Sequence, residues 1–261
     1  MSAETGVSSE VNGAVAVITI SRPESLNALS QQVLSGLELA FERLEHEKGV
    51  RVVVIRGGGG KAFVAGADIK VMASLTPSDL RSYLELGQRV MRRVELFSVP
   101  VIAAVTGFAL GGGMELALAC DLIASTETSR FGQPEVNLGL IPGFGGTQRL
   151  AQRSGWGTAR RLIYTGEIVT AAEAHRLGLV DFVWSVDDFE NRLCELVGRI
   201  AEKAPIAVAE SKRVMRETRE SWELGGLRRE VEAFAGLMTS DDCREGFSAF
   251  LEKRSPQFKG T

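Results

Sequence analysis

Only two histidines, His46 and His175, occur among the 261 residues, and neither stands in the HExxH or paired spacing that a metal centre requires. No metal site is expected. The cysteines are just three, Cys120, Cys194 and Cys243, far apart and without CxxC spacing. A disulfide framework is therefore not expected, and a reducing compartment, the cytoplasm, fits best. No apolar run is long enough to span a bilayer. The N-terminal "MSAETGVSSEVNGA" carries Glu4 and Glu10, no arginine and no apolar stretch, so it reads as a mature terminus rather than a targeting segment. A positive charge excess is missing too. The 30 Lys and Arg against 33 Asp and Glu give a net charge of -3, with no global attraction for nucleic acid or an anionic membrane. Any anionic ligand has to be caught locally. GxSxG is also absent, so a hydrolase of the nucleophile-elbow kind has no nucleophile.

What is present is material for one large core, with 44% hydrophobic and 24% charged residues. "AVAVITISRP" is β-rich and stops at Pro23. "SQQVLSGLELAFERLEHEK" then offers Ser30 as N-cap and Val33, Leu34, Leu37, Phe41 and Leu44 at helical spacing. The β-branched runs "VRVVVIRG" (50–57) and "VPVIAAVTG" (99–107) read as strands covered on both faces. Between them "TPSDL" supplies Thr76 as cap, Pro77 at the first helical position and Asp79 in the first turn. A "TAAE" capping box at Thr170–Glu173 precedes a further strand, "GLVDFVW". Beyond about residue 190 the pattern is helical only, through "SKRVMRETRE", "REVEAFAGLM" and "CREGFSAFLEK". The expectation is an α/β core over 1–190 with right-handed crossovers, followed by a helical section over 191–261.

The glycine run Gly57–Gly60 in "VVVIRGGGGKAF" imitates a nucleotide loop but fails on detail. A P-loop would need Gly at Ile55 and Ser or Thr at Ala62, and GxGxxG is broken at Phe63. A surface turn is the better reading. A second glycine cluster is more informative: in "GFALGGGMELALACD" a glycine triplet precedes Glu115, and the residues after it are small or apolar. Such a helix is buried all round, and a buried carboxylate is costly unless it is paired or hydrogen-bonded. Glu135, in "FGQPEVNLGLIPGFGG", is a second carboxylate among glycines. Both have an ordinary alternative as first-turn helix acids. Together they are candidates for metal-free general acid–base work.

The segments "FVAGADIKVM" (63–72), "VTGFALGGGMELALACDLIAS" (105–125) and "FGQPEVNLGLIPGFGGTQRL" (131–150) resemble the successive signature blocks of the crotonase, or enoyl-CoA hydratase, superfamily. The resemblance runs from "ITISRPESLNAL" to "FLEKRSPQFKG", almost the whole chain. It implies an α/β fold, a crotonase-like spiral of ββα units with a C-terminal helical trimerisation section, assembled as a trimer or a dimer of trimers. It implies an acyl-CoA thioester substrate, with coenzyme A part of the substrate and no separate cofactor. By motif position, the N–H groups of Ala67 and Gly112 would meet the thioester oxygen as an oxyanion hole, where one lost donor typically costs ~3–4 kcal/mol of transition-state stabilisation. Glu115 and Glu135 match the hydratase pair, Glu135 for proton transfer at C2 and Glu115 for holding and activating water. Contacts to the CoA moiety are implied for Ser25 and Leu26 and for Ala65, Gly66, Ala67, Asp68 and Ile69.

Two departures from the family stand out. Glu24 occupies a place where many relatives carry Lys, leaving Lys70 or Lys259 to meet a CoA phosphate, unless both are ordinary solvated charges. Phe144 replaces a commonly smaller residue and would reshape the acyl pocket. Competing activities share the scaffold. An isomerase moves a proton between C2 and C4 without activated water and often lacks the acid at the Glu115 position, so both glutamates favour hydration. Crotonase-type hydrolases, decarboxylases and ring-forming enzymes stay open. A binding-only role, or RNA binding as in one branch with a lysine-rich first helix, is disfavoured because "LELAFERLEHEK" carries Glu38, Glu42, Glu45 and Glu47 against Arg43 and Lys48.

Overall fold

A computed structural model of the protein describes residues 5–220, 231–232 and 234–257, the side chains of 70 and 217–220 apart. Among the described residues ten strands form two sheets. The larger has the order β1(Val7–Asn12), β2(Val15–Ile20), β3(Val52–Gly57), β5(Val101–Val105), β7(Leu122–Thr126), β10(Phe182–Trp184). The smaller runs β4(Ala62–Val64), β6(Phe108–Leu110), β8(Arg130–Gly132), β9(Ile168–Thr170). Among these strands β1–β2 and β8–β9 pair antiparallel and the other neighbours parallel. Successive units each give one strand to each sheet and then a helix: β3 and β4 lead to Pro77–Leu96, β5 and β6 to Gly112–Ala119, β7 and β8 to Gly146–Thr165. This is the crotonase spiral of ββα units.

Local sequence explains the elements. The first long helix is Gln31–Glu45, with Ser30 Oγ accepting from the Val33 N–H at 3.3 Å, and it buries Val33, Leu34, Leu37, Phe41 and Leu44. Thr76 caps Pro77–Leu96 through the Asp79 N–H at 3.2 Å, with Pro77 in the first turn, where a missing N–H costs nothing. These two helices pack side by side. Phe41 and Phe97 meet edge to face at 5.1 Å. Across the outer side of the same pair, Arg89 binds Glu38, and Arg93 binds Glu42 and Glu45. The acidic face read from the sequence is thus partly neutralised by the neighbouring helix.

Alternation along the central strands sorts residues between two layers. Val53, Ile55, Val101, Ala103 and Val105 join the main core, whereas Val52, Val54, Ile102, Ala104 and Ala124 face Phe189, Leu193, Leu196 and Val197 of helix Phe189–Ala201. Both faces are therefore covered, as a β-branched parallel sheet requires. Beyond it lie Pro205–Glu220 and Asp241–Glu252, the latter capped by Ser240 Oγ through the Cys243 N–H at 3.0 Å. "REVEAFAGLM" falls partly outside the described residues. No described helix is long and apolar enough to cross a membrane.

The start of helix Gly112–Ala119 is where backbone packing is tightest. A Cβ at Gly113 would lie 1.9 Å from the Val64 carbonyl oxygen, so the helix can seat on β4 only with glycine there. Gly113→Ala is expected to lower unfolding stability by about 1–3 kcal/mol or more, as overpacked sites do. An unchanged urea midpoint would contradict this seating.

Candidate active site

The functional segments meet at one cavity of about 310 Å³, mostly apolar, bounded by Ala65–Ala67, Gly111, Gly112, Tyr83, Phe144 and both glutamates. Glu115 lies one turn into its helix and is 1% exposed. Its Oε1 accepts from the Phe144 N–H and the Gly146 N–H, both at 2.7 Å. Two donors on one oxygen meet the cost of burying the group and fix where its carboxylate sits. The bond lengths fit charge-assisted contacts.

Glu135 is half-buried in the short 3-10 turn Pro134–Leu138, which Gly139 closes in the left-handed region. A Cβ at Gly111 would fall 3.0 Å from Glu135 Oε1, so the second carboxylate lies against the helix start that carries Glu115. Beside Glu135 is Gln133, fully buried. With its amide oriented to satisfy the hydrogen-bond network, the nitrogen donates to Glu135 Oε2 at 3.1 Å and Oε1 at 2.9 Å. On its other side a Cβ at Gly146 would lie 2.7 Å from the Gln133 amide and 3.0 Å from Glu115 Oε1. The Gln133 amide thus fixes the Glu135 carboxylate and reaches the neighbourhood of Glu115.

Two backbone N–H groups complete the site. Leu29 pairs with Ala67 as an isolated parallel bridge, using the Leu29 N–H to the Gly66 carbonyl at 2.9 Å and the Asp68 N–H to the Leu29 carbonyl at 3.4 Å. That pattern leaves the Ala67 N–H without an acceptor among the described residues. The Gly112 N–H, first in its helix, likewise has none. Each donor follows a residue with positive φ, Gly66 at 112° and Gly111 at 50°, a region that an L side chain rarely enters. The two segments are adjacent: a Cβ at Gly111 would be 3.7 Å from Gly66 Cα.

The remaining candidates divide by position. Ala65, Gly66, Ala67, Ile69 and Gly112 line the cavity with Glu115 and Glu135, while Ser25, Leu26 and Asp68 stay outside its wall. Ser25 ends the turn Pro23–Ser25, and Leu26 is 38% exposed beside it. Asp68 lies 3.7 Å from Arg22 and caps the turn Ile69–Met72 through the Val71 N–H at 3.4 Å. Lys70 sits in that turn; its side chain, and all of Lys259, lie outside the described residues.

Asn27 and Tyr83 carry no sequence signal of their own. Asn27, 1% exposed with φ of 60°, donates to the Gly58 carbonyl at 2.9 Å and the Ala62 carbonyl at 2.8 Å, tying the first loop to the Gly57–Gly60 turn. Tyr83 donates to the Leu29 carbonyl beside Ala67. Burial, against an opposing backbone hydrogen bond from Asp68 and with the charges of Asp68 and Glu115 adding, pushes its hydroxyl well above the ordinary pKa and keeps it protonated. Phe144 closes the inner wall, edge to face with Tyr83 at 5.4 Å. Its ring occupies the space a side chain at Gly87 would need. Among the described residues no group of three or more His, Cys, Asp or Glu could hold a metal.

Comparison with known proteins points to one family. The chain matches the family described as enoyl-CoA hydratase/isomerase over residues 10–261. It is 43% identical to a short-chain-enoyl-CoA hydratase of Clostridium acetobutylicum, covering 94% of each chain. A crotonyl-CoA hydratase of Syntrophomonas wolfei is 42% identical, again over 94% of each. The crystal structure of an enoyl-CoA hydratase from Bacillus anthracis superposes with a TM-score of 0.80 at 39% identity, covering 98% of this chain and all of that one.

Because the Phe144 ring fills space against Gly87 and Tyr83, Phe144→Ala should cost roughly 3–5 kcal/mol of stability. Chemical denaturation measures it. A loss well under 1 kcal/mol would mean the ring is not a packed wall of the cavity.

Proposed function

The chain belongs to the enoyl-CoA hydratase/isomerase family, and on that premise we propose that it adds water reversibly to a 2-enoyl-CoA thioester, giving the 3-hydroxyacyl-CoA. The observation that carries this reading is the pair Glu115 and Glu135 on the same cavity wall as two N–H groups that have no acceptor among the described residues. The thioester oxygen accepts from Ala67 and Gly112, and the positive end of helix Gly112–Ala119 adds to their pull. Electron withdrawal makes C3 electrophilic. Water adds there as Glu115 takes its proton, the double-bond electrons move to the thioester oxygen as an enolate, and Glu135 delivers a proton to C2. One water is consumed, and each carboxyl returns to its starting state by proton exchange. Coenzyme A enters as part of the substrate, so no separate cofactor is required.

The first arm of this mechanism depends on donors already in place. A preorganised donor is worth ~3–4 kcal/mol of barrier because nothing reorganises during reaction. Retention of Glu115, which a C2–C4 proton shuttle does not need, favours hydration over double-bond migration. A cavity at the small end of the usual range for ligand pockets, closed by Phe144 and Tyr83, supports a short acyl chain. The names of the relatives in Clostridium acetobutylicum and Syntrophomonas wolfei agree with that choice. CoA itself lies outside the cavity, toward Ser25, Leu26 and Asp68, with Lys70 and Lys259 as the phosphate-binding candidates.

We also propose a trimer, or a dimer of trimers, held by the C-terminal helices. Ile206, Val214 and Met215 of Pro205–Glu220 are 79%, 53% and 69% exposed in the isolated chain, and Phe250 and Leu251 about half exposed. Light scattering should return a mass of three or six chains; an active monomer would contradict this assembly.

Glu115→Gln and Glu135→Gln keep the shape but cannot cycle a proton. Each should leave binding of a saturated acyl-CoA largely intact while cutting turnover of 2-butenoyl-CoA by at least ~100-fold. Loss of the conjugated thioester absorbance reports the rate. Near-normal hydration by Glu115→Gln would remove the main argument against an isomerase, and activity in both variants would end the two-carboxylate mechanism.

A further inference from the structure

Glu115 owes its position to the N–H groups of Phe144 and Gly146, so whatever fixes that loop fixes the carboxylate. The helix that follows starts at Gly145 with no capping side chain, so the loop is not anchored in the usual way. Its anchor is on the far side from the cavity. Arg149 is 2% exposed, and its Nη1 donates to the Phe144 carbonyl at 2.8 Å. Nη2 donates to Glu95 Oε2 at 3.1 Å, and Glu95, 7% exposed, comes from the last turn of Pro77–Leu96. Arg92 lies 3.4 Å from the same oxygen. Arg149 Nε has no partner among the described residues, so the two Nη bonds carry the orientation of the guanidinium.

Phe144 is therefore gripped from both sides, its N–H by Glu115 and its carbonyl by Arg149. A buried ion pair is seldom better for stability than apolar residues of the same volume, which points to a geometric role. We propose that Arg149, held by Glu95, is a positioning residue: it sets the loop so that two N–H groups converge on Glu115 Oε1 and hold the carboxylate where water must be activated. The inference rests on the hydratase reading for its kinetic consequence, and on geometry alone for its structural one. Arg149 does not line the cavity that holds both glutamates.

The test removes the Glu95 and Arg149 charges together, so that neither is left buried without the other, while Arg92, 21% exposed, keeps access to solvent, in the double variant Glu95→Gln/Arg149→Met; a second variant, Arg149→Lys, keeps the charge but not the fork. Hydration of 2-butenoyl-CoA and amide hydrogen exchange are measured on the full chain. The double variant should keep KM within about twofold and lose ~10–100-fold in kcat, the scale on which small misplacements of catalytic groups act. Exchange should quicken in residues 140–148 but not in β3, and Arg149→Lys should recover part of the kcat. A folded double variant with wild-type kcat would overturn the proposal, as would faster exchange spread evenly over the chain. If the double variant does not fold, Arg149→Lys decides: wild-type kcat with unchanged exchange in 140–148 would overturn it. A wild-type chain that hydrates no 2-enoyl-CoA would refute the hydratase reading instead, and the exchange measurement would then judge the anchor by itself.

Discussion

A carboxylate buried beneath the protein surface must find hydrogen-bond donors, and the way Glu115 finds them organises this molecule. Its donors are backbone N–H groups of Phe144 and Gly146, some thirty residues on, so helix Gly112–Ala119 and the loop before Gly146–Thr165 have to meet at one point. That meeting requires close backbone approaches. Gly113 lets the helix touch β4, Gly146 leaves room for Gln133 and Glu115, and Gly87 leaves room for the Phe144 ring. The repeated ββα units bring these segments together because each unit returns a strand to the same small sheet. Polar contacts then hold the loop from behind, through Arg149 and Glu95.

The same geometry accounts for the chemistry assigned to the site. Positive φ at Gly66 and Gly111 turns the next N–H in each segment away from ordinary pairing, and the two segments touch. Donors fixed in advance need no rearrangement as charge develops on a bound oxygen. Gln133, fully buried, donates to both oxygens of Glu135 and fixes the second carboxylate at the cavity wall. These features are local, but they depend on the spiral to place four separate segments within a few ångströms.

How far the sequence disclosed this depends on whether a feature is local. Caps and periodicity are local, so Ser30, Thr76 and Thr170 were found as N-caps and the runs at 50–57 and 99–107 as buried strands. Motif blocks preserve spacing, so Ala67, Gly112, Glu115 and Glu135 could be named together, and the fold brings them to one cavity. Gln133, Tyr83, Asn27 and the Glu95–Arg149 pair could not be found this way. Glu95 and Arg149 are 54 positions apart, and each in isolation reads as a surface charge on an amphipathic helix. Only the packing of Pro77–Leu96 against Gly146–Thr165 makes them partners. The acidic face of Gln31–Glu45 is a similar case, since Arg89 and Arg93 reach it from another helix.

The claim on which this account turns is that the cavity adds water to carbon rather than moving a double bond or cleaving the thioester. Incubating the protein with 2-butenoyl-CoA in oxygen-labelled water and analysing the products by mass spectrometry separates the three. The account predicts label in the C3 hydroxyl of an intact 3-hydroxybutanoyl-CoA. Label in a free carboxylic acid, or an unlabelled positional isomer of the substrate, would contradict it.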